Sequence, residues 1–321
     1  MKQKEILVFG ASGQIGRNLI RKLTQNNYKV TAVTRNTHRT GYIIKTQANP
    51  GYLNLVEIEN FEPKKIEELM KGTSICINLI GILYEKKKNQ FKTIHTDLPD
   101  MLSQKANKLN IEKFIHLSSL GIEEAKDSKY AISKLEGEKK IRKNFINSII
   151  LKPSIVYSVD DKFTTRFMTL LSRLPFMPIY YNGETKFMPI HVTDLVNIIF
   201  ETIQSKDNDL VIECIGPETF TFKEIIQKLL KSIHKKRILL PLPLSLANLS
   251  AKILQILPNP LLTEDQLKLL KYDNIKSGLY KTNFDLGFKT NKLFDDEINK
   301  YSYNWRSGGQ FAKKNETVNT K

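Results

Sequence analysis

The sequence predicts an α/β protein with a doubly wound parallel sheet and a smaller C-terminal α/β lobe. Strand-like apolar segments alternate with helical periodicity through residues 1–153, and a glycine-spaced turn joins the first strand to the first helix. Strands separated by helices pair in parallel through right-handed crossovers. Their carboxyl ends therefore meet at one edge of the sheet, where folds of this class bind ligands.

The first strand, turn and helix have the glycine spacing of a Rossmann-type dinucleotide site. Gly10 permits a tight turn, Gly13 lets the backbone approach a pyrophosphate, and Gly16 lets the helix pack closely on the strand. The free amides and the dipole of the helix N-terminus favour an anion. The residues predicted to bind the cofactor here are Gly10, Ser12, Gly13, Gln14, Ile15 and Gly16.

The second strand ends at a cation rather than at a carboxylate. Arg35 directly follows it, and no Asp or Glu occurs from Arg17 through Val56. A carboxylate at this position suits the ribose hydroxyls of NAD, whereas an arginine accommodates a 2′-phosphate. Guanidinium groups match phosphate oxygens in pairs. NADP(H) is therefore favoured over NAD(H), with Arg35 as the first contact and Arg17 or Arg39 as the second.

The alternation continues after a loop that contains the Asn49–Gly51 turn. Strands are expected at 53–58, 74–80, 113–119 and 147–153, and helices at about 62–71, 90–109 and 130–144. Several residues at the carboxyl ends of these strands are predicted to line the cofactor. They are Asn78, Gly81, Ser118 and Pro153.

A tyrosine and a lysine share one face of the helix expected at 130–144. Tyr130 and Lys134 are separated by one turn, and Ser119 ends the strand before them. An ammonium near a phenol stabilises the phenolate, and a serine hydroxyl can polarise a carbonyl or an alcohol. Ser119, Tyr130 and Lys134 are therefore the catalytic candidates. Tyr130 and Lys134 are also predicted to contact the nicotinamide ribose.

Taken together, these motifs resemble those of extended or atypical short-chain dehydrogenases/reductases. More closely, the chain resembles the NADPH-binding accessory subunits of respiratory complex I and their bacterial relatives. The resemblance covers about residues 4–312, and its matching stretches are 77–83, 113–121, 130–138, 151–157, 215–222, 240–243 and 305–311. It implies a bound NADPH, complex I subunits as partners, and Ser119, Tyr130 and Lys134 at the family's catalytic positions.

Two functions stay open at this point. The resemblance implies an assembly or stability factor of complex I in which the nucleotide is structural. The alternative is an active NADP-dependent oxidoreductase or epimerase that acts on a small or quinone-pathway substrate through Ser119, Tyr130 and Lys134. Ser119 and Tyr130 are 11 positions apart, whereas sugar-nucleotide epimerases usually carry a longer loop there. This difference argues against a sugar-nucleotide substrate.

The composition limits the classes of binding partner and the cellular compartments that are compatible with the chain. The net charge of +17 comes from lysine clusters without interleaved aromatic residues, which argues against specific nucleic-acid binding but favours anionic surfaces. Cys76 and Cys214 lie in apolar strands, which indicates buried thiols in a reduced compartment and no metal site. With no signal or membrane-spanning segment expected, the protein is predicted to be cytoplasmic, either free or peripheral on the inner membrane's cytoplasmic face.

The second half is expected to form a substrate or partner lobe over residues 154–312, followed by a disordered tail at 313–321. His191 is interpreted as a structural, hydrogen-bonded histidine, and Asp194 as a helix N-cap. Thr221 is expected to cap a further helix, with Glu224 three positions on.

An apolar, proline-rich segment at 238–262 stands apart within this lobe. Its prolines exclude a membrane-spanning helix, and an amphipathic helix is expected from about 244 to 257. Internal packing, a protein partner and a membrane interface are the three alternatives for its apolar face.

Overall fold

A computed structural model describes residues 4–208, 210–257 and 259–311. In these ranges the strands are, in chain order, β1 Glu5–Phe9, β2 Lys29–Thr34, β3 Leu53–Glu57, β4 Ile75–Asn78, β5 Lys113–Leu117, β6 Ser148–Pro153, β7 Val156–Tyr157, β8 Phe176–Ile179, β9 Lys186–Phe187, β10 Ile190–His191, β11 Leu210–Cys214, β12 Phe220–Thr221, β13 Ile238–Pro241 and β14 Lys281–Thr282. The α-helices are α1 Gln14–Gln25, α2 Thr37–Lys45, α3 Pro63–Met70, α4 Leu98–Lys108, α5 Lys129–Asn144, α6 Thr164–Arg173, α7 Val192–Gln204, α8 Phe222–Ser232, α9 Leu244–Leu254, α10 Glu264–Leu269 and α11 Phe294–Asn299.

Eight parallel strands form the central sheet, in the order β3-β2-β1-β4-β5-β6-β11-β14. The chain builds outward from β1 to β3 and then returns to place β4 on the other side of β1. The strand order thus reverses between β1 and β4, and the crevice at such a switch point is where open α/β sheets bind ligands. The predicted doubly wound, Rossmann-type sheet is confirmed.

Helices cover both faces of this sheet. Ile6 and Val8 of β1 point into a core shared with α1, α2 and α7. Leu7 and Phe9 of the same strand point into a second core shared with α3, α4 and α5. Burial on both faces explains why the strand is apolar at every position from Ile6 to Phe9 instead of alternating with polar residues.

Two segments of the first half differ from their expected structure. Residues 37–45 were expected in a loop but form α2, because the Asn36 side chain accepts a hydrogen bond from the backbone amide of Arg39 and caps the helix. The helix expected at 90–109 begins with a π-helical turn at Lys92–Asp97, which passes directly into α4. The glycine at position 137 permits this turn to approach α5, since a Cβ there would lie 1.9 Å from the carbonyl oxygen of His95.

In the second half, the predicted cap at Asp194 is wrong. Helix α7 begins at Val192, and the Nδ1 atom of His191 accepts a hydrogen bond from the backbone amide of Thr193 at 3.3 Å. Asp194 is buried in the first turn, where it accepts a hydrogen bond from the backbone amide of Lys292. The structural role predicted for His191 is confirmed, as is the capping box that Thr221 and Glu224 form on α8.

The second lobe is interleaved with the sheet. Strands β11 and β14 extend the sheet, and α7 packs on it, although all three follow residue 153. The predicted boundary at residue 153 therefore does not separate the sheet from the lobe. A separate apolar core around Tyr157, Met168 and Phe222 holds the lobe together, and the Trp305 indole nitrogen donates a hydrogen bond to Thr169 there. The tail expected at 313–321 lies outside the described residues.

Candidate nucleotide-binding site

The turn between β1 and α1 packs so tightly against neighbouring backbone atoms that two of its positions accept only glycine. Gly10 has a φ of +83°, and a Cβ on it would lie 3.0 Å from the carbonyl carbon of Leu79. A Cβ on Gly16 would lie 2.4 Å from the Gly10 carbonyl oxygen and 2.8 Å from the Cα atom of Ala11. The Gly13 amide donates to the Gly10 carbonyl at 3.1 Å and closes the turn. The backbone is thereby held against the strand edge.

The N-terminus of α1 carries the features of an anion site. Its N-cap is Gly13, no side chain caps the helix, and its first turn contains no acidic residue. The first amides of the helix therefore remain available to a phosphate. The Gln14 side chain donates to Ser158 at 2.8 Å, and Ile15 packs into the core, so these two residues offer their backbone amides. Ser12 lies half-buried in the turn. These residues fit a dinucleotide pyrophosphate.

Arg35 lies beside this turn at the same sheet edge. The register of β1 and β2 places Phe9 opposite Val33. Gly10 follows Phe9 directly and Arg35 lies two residues after Val33, so both residues lie where these neighbouring strands end. The Arg35 side chain is exposed. This position suits a phosphate on the adenosine ribose of a nucleotide whose pyrophosphate contacts α1.

Arg17 and the carboxylate nearest to Arg35 in the sheet, Glu57, already have partners. Arg17 forms an ion pair with Asp160, which turns its guanidinium toward the second lobe. Glu57 stands at the end of β3, and its carboxylate accepts hydrogen bonds from the backbone amide and the hydroxyl of Thr37. These bonds hold the pKa of Glu57 below its usual range. Arg39 is exposed on α2 and forms no ion pair within the described ranges, so it is better placed than Arg17 for the second phosphate contact expected from the sequence.

The three catalytic candidates come together between β5 and α5. The Ser119 hydroxyl lies close enough to the phenol oxygen of Tyr130 to lower the pKa of that phenol, and the Lys134 Nζ atom lies 5.6 Å from the centre of the Tyr130 ring. That Nζ atom also donates to the Leu117 carbonyl at 3.2 Å. Burial raises the pKa of Tyr130 to about 12, against the lowering effect of Ser119. Burial lowers the pKa of Lys134 to about 8.

Two strand-end residues predicted to line the cofactor are fully enclosed. The side-chain amide of Asn78 is hydrogen-bonded to the Nδ1 atom of His116 at 3.1 Å inside the sheet. Pro153 is buried, and its carbonyl accepts a hydrogen bond from the backbone amide of Leu120 at 3.0 Å. Both residues therefore fix the neighbouring strand ends, and Pro153 holds the chain just after Ser119.

His95 is a site residue that sequence reasoning missed. Its Nε2 atom accepts a hydrogen bond from the backbone amide of Ile82 at 3.1 Å, so its Nδ1 atom carries the proton and donates to Ser133 at 3.0 Å. A Cβ on Gly81 would lie 3.8 Å from Lys134 Nζ and 3.9 Å from His95 Nε2. His95 thus joins the loop after β4 to α5. It lies in a mostly polar stretch, Lys92–Asp97, and its partners Ile82 and Ser133 are distant in the sequence, so no local signal indicated this role.

Acid is expected to weaken the fold through His95. Burial, aided by the nearby Lys134 charge, lowers the His95 pKa from 6.5 to about 3. Below pH 6.5 His95 is therefore protonated in the unfolded chain but stays neutral in the folded chain. The free energy of unfolding consequently falls as the pH falls from 6.5 toward 3. Between pH 6.5 and 4 this residue alone should cost roughly 3 kcal/mol. Urea unfolding across that range measures the loss.

His95→Gln should flatten this acid dependence relative to the unmodified protein. His38→Gln, on the exposed surface of α2, is the matched control and should leave the slope unchanged. Equal slopes for His95→Gln and the unmodified protein would contradict the assignment of a neutral His95.

A buried polar network lies behind the catalytic candidates. Lys152 on β6 is fully buried, and its Nζ atom lies 2.8 Å from both carboxylate oxygens of Glu138 and 2.6 Å from Glu123. The Ser118 hydroxyl also donates to Glu138. Burial by itself would lower the pKa of Lys152, but the two carboxylates raise it overall. Because Glu138 is one turn beyond Lys134 on α5, the network fixes this helix against the ends of β5 and β6.

The second lobe covers the N-terminus of α5. Asp265 accepts hydrogen bonds from the Ser128 hydroxyl at 2.8 Å and from the backbone amides of Lys129 and Tyr130 at 2.7 and 3.0 Å. Leu269 of the same helix, α10, packs against the apolar cluster that contains Tyr130. A cavity of about 290 Å³ remains at this edge, but Tyr130 is not among its lining residues.

Comparison with known proteins agrees with this geometry. The model of the NAD dependent epimerase/dehydratase family matches residues 6–214. The chain belongs to this family. The match runs from β1 to β11 and includes the glycine turn, the Arg35 position and the Ser119–Tyr130–Lys134 cluster.

Curated relatives of this epimerase/dehydratase chain include subunits of respiratory complex I. The NADH-ubiquinone oxidoreductase 40 kDa subunit of Neurospora crassa is 26% identical over 286 residues, which covers 88% of the chain and 74% of that protein. The NADH dehydrogenase 1 alpha subcomplex subunit 9 of Mus musculus is 25% identical over 272 residues, which covers 84% of the chain and 72% of that protein. A ceramide reductase of Caulobacter vibrioides is 26% identical over 193 residues, or 59% of the chain and 57% of that protein.

Solved structures share the fold of this family member. DesIV, a dTDP-glucose 4,6-dehydratase of Streptomyces venezuelae with NAD and TYD bound, superposes with a TM-score of 0.71 at 15% identity, covering 94% of the chain and 96% of that protein. The UDP-glucuronic acid 4-epimerase of Bacillus cereus, with UDP-glucuronic acid and NAD, has a TM-score of 0.69 at 18% identity, with coverage of 93% and 98%. The chain is thus an NAD(P)-binding, Rossmann-type protein related to complex I accessory subunits.

Proposed function

We propose that the chain is an NADP(H)-binding accessory protein of respiratory complex I in which the nucleotide has a structural role. The complex I relatives support the partner. The observation that carries the structural role is the position of the second lobe on the Tyr130 helix. Asp265 is hydrogen-bonded to three successive residues at the start of α5. Leu269 and Tyr272 pack against the Tyr130 cluster, and Tyr130 is only 8% exposed, so little of its surface is open to a substrate.

The residues that would hold the nucleotide follow from the site. The amides of the α1 N-terminus would bind the pyrophosphate, and Arg35 would bind the 2′-phosphate. Gly81, Tyr130 and Lys134 would lie along the nicotinamide ribose. When bound, NADP(H) supplies hydride-transfer chemistry, but a nucleotide that binds only the folded chain also stabilises the fold by mass action.

The electrostatics of the Tyr130 site support a resting, protonated phenol. Its pKa of about 12 lies far above neutral pH, and burial is the main cause. The Lys134 Nζ atom donates to the Leu117 carbonyl rather than to the phenol oxygen. A general acid or base works best when its pKa lies near the working pH. Tyr130 and Lys134 are therefore better suited to packing and to binding the nucleotide than to transferring a proton.

The second candidate is an active NADP-dependent oxidoreductase or epimerase. It is supported by the contact between Ser119 and Tyr130, with Lys134 beside them, and by the ceramide reductase among the relatives. In this function Ser119 would orient a carbonyl or alcohol oxygen, and Tyr130 would hold or donate the proton at that oxygen. Lys134 would stabilise the phenolate. The substrate would be small or of the quinone pathway.

The two functions are distinguished by paired substitutions in the source organism. Tyr130→Phe removes the phenol oxygen and should leave complex I assembly and bound nucleotide unchanged. Arg35→Ala should lower nucleotide occupancy and the amount of assembled complex together. Native gels of membranes and mass spectrometry of the purified protein provide the two readouts. Loss of the physiological role in Tyr130→Phe at normal nucleotide occupancy would establish the catalytic candidate instead.

We also propose that the chain lies at the cytoplasmic face of the inner membrane, against subunits of complex I. The mitochondrial relatives named above are the support for that partner. Co-purification from native membranes, followed by mass spectrometry of the companions, tests it directly.

A further inference from the structure

An apolar surface of the second lobe faces solvent. Strands β8 and β13 pair in parallel with Phe176 opposite Ile238, so these two side chains share one face of the ribbon, and both are at least half exposed. Helix α9 follows directly after β13. Its outer stripe of Leu249 and Ile253 continues to Ile256, which is 81% exposed. We call these five residues and their surroundings the apolar face.

Packing has oriented α9 so that its aliphatic stripe points outward. The small residues Ala247 and Ala251 are the buried ones, packed with Tyr180 and Leu267. In an ordinary surface helix the large apolar side chains face the core and polar residues face water. The reverse arrangement here leaves large aliphatic side chains without a partner in the described chain. Exposed apolar patches of this kind mark binding surfaces.

The segment that supplies β13 and α9 contains cations but no carboxylate, although Lys228 and Lys252 pair with Asp295 and Glu264 of other segments. From Ile225 to Thr263 the sequence contains no Asp or Glu, but it contains six cations, which are Lys228, Lys231, Lys235, Lys236, Arg237 and Lys252. Lys231 and Lys236 are exposed. The segment that supplies β8 is also free of acidic residues from Lys162 to Gly183. An occupant with negative charge beside an apolar layer would complement this surface.

We propose that the apolar face binds the interface of an anionic lipid bilayer, with α9 lying in the plane of the membrane. An amphipathic helix buries its aliphatic stripe among the acyl chains, while flanking lysines contact acidic headgroups. A second copy of the chain is disfavoured, because a two-fold interface would place each cationic rim against its equal. A protein partner is less well matched, since α9 has no Tyr, Trp or Arg, the residues enriched at protein interfaces.

The proposal requires attachment rather than insertion. None of the helices in the described ranges is long and apolar enough to span a bilayer. The surface lies on the second lobe, and its binding is independent of whether the nucleotide is structural or exchangeable. Failure of the protein to bind vesicles would therefore leave the proposed role of the nucleotide unaffected, and failure of the proposed function would leave the membrane proposal unaffected.

Flotation of the purified full-length protein with vesicles tests the proposal. Vesicles of phosphatidylglycerol mixed with phosphatidylcholine should bind the protein, and vesicles of phosphatidylcholine alone should bind it at least ~10-fold more weakly. Leu249→Ser with Ile253→Ser should lower binding to the mixed vesicles by ~10-fold or more. Lys231→Glu with Lys236→Glu should lower it comparably.

Matched controls distinguish binding through the apolar face from effects of net charge and of exposed apolar residues elsewhere. Lys87→Glu with Lys88→Glu makes the same charge change at an exposed site elsewhere, and Ile146→Ser with Leu279→Ser removes exposed apolar residues elsewhere. Both control pairs should bind as the unmodified protein does. Circular dichroism and nucleotide content establish that each variant is folded.

Three results would overturn the proposal. They are equal binding to neutral and mixed vesicles, equal binding by the apolar-face variants and their controls, and concentration-dependent dimerisation that these variants abolish while vesicle binding is absent.

Discussion

Replacing Gly16 by alanine is expected to abolish nucleotide binding and to destabilise the protein by about 3 kcal/mol. The added Cβ would meet the Gly10 carbonyl oxygen at 2.4 Å and the Ala11 Cα atom at 2.8 Å. Both are backbone atoms of the turn, so α1 can accept the methyl group only by moving away from the turn. That movement displaces the amides that would bind the pyrophosphate. Thermal unfolding with and without NADPH measures both effects.

Gly41→Ala is the control for this substitution. Gly41 lies inside α2, where a Cβ would approach the Leu55 side chain at 3.1 Å, and a side-chain methyl group can shift. Alanine also favours the helix, so this variant should be nearly neutral or slightly stabilised. A Gly16→Ala protein that keeps normal stability and normal nucleotide binding would contradict the geometry of the turn.

Replacing Arg35 by alanine is expected to weaken NADPH binding about 100-fold and to leave NADH binding unchanged, because two charge-assisted hydrogen bonds to the 2′-phosphate are lost. Arg35 follows β2 beside the glycine turn, and Glu57 on the adjacent strand is occupied by Thr37. The next arginine in the sequence, Arg39, lies on α2 rather than at the end of β2. Titration of the nucleotide-free protein with each coenzyme measures the ratio.

Lys29→Ala is the control for Arg35→Ala. It removes an exposed cation from the opposite end of the same strand, so the net charge changes equally while the nucleotide edge is left intact. Its NADPH affinity should match that of the unmodified protein. An equal weakening by both substitutions would indicate a general charge effect, and equal loss of NADH and NADPH binding in Arg35→Ala would remove the basis for NADP(H) preference.

The sequence predicted the parts of the site that depend on local rules. Gly16 is required by contacts with Gly10 and Ala11, within seven residues of chain, and Gly10 by its positive φ, so their spacing alone indicates the turn. The pair of Tyr130 and Lys134 depends on helix periodicity, which α5 preserves. The alternation of strands and helices predicted a parallel, doubly wound sheet, and the strand order found in the structure then places Arg35 next to the turn.

The sequence did not predict features that depend on contacts between distant segments. Arg17 pairs with Asp160 across 143 positions, and Asp265 caps α5 from 135 positions beyond Tyr130. Lys152 looks like a surface lysine in an apolar strand until the fold brings Glu123 and Glu138 to it. One local signal was available, because Glu138 lies one helical turn beyond Lys134 on the same face.

The central claim is that the glycine turn and Arg35 form an NADP(H) site. Isothermal titration of the nucleotide-free protein with NADPH and with NADH tests it most directly. The account predicts saturable binding of NADPH at one site per chain, with NADH at least ~10-fold weaker. Failure to bind either coenzyme, or equal affinity for both, would contradict it.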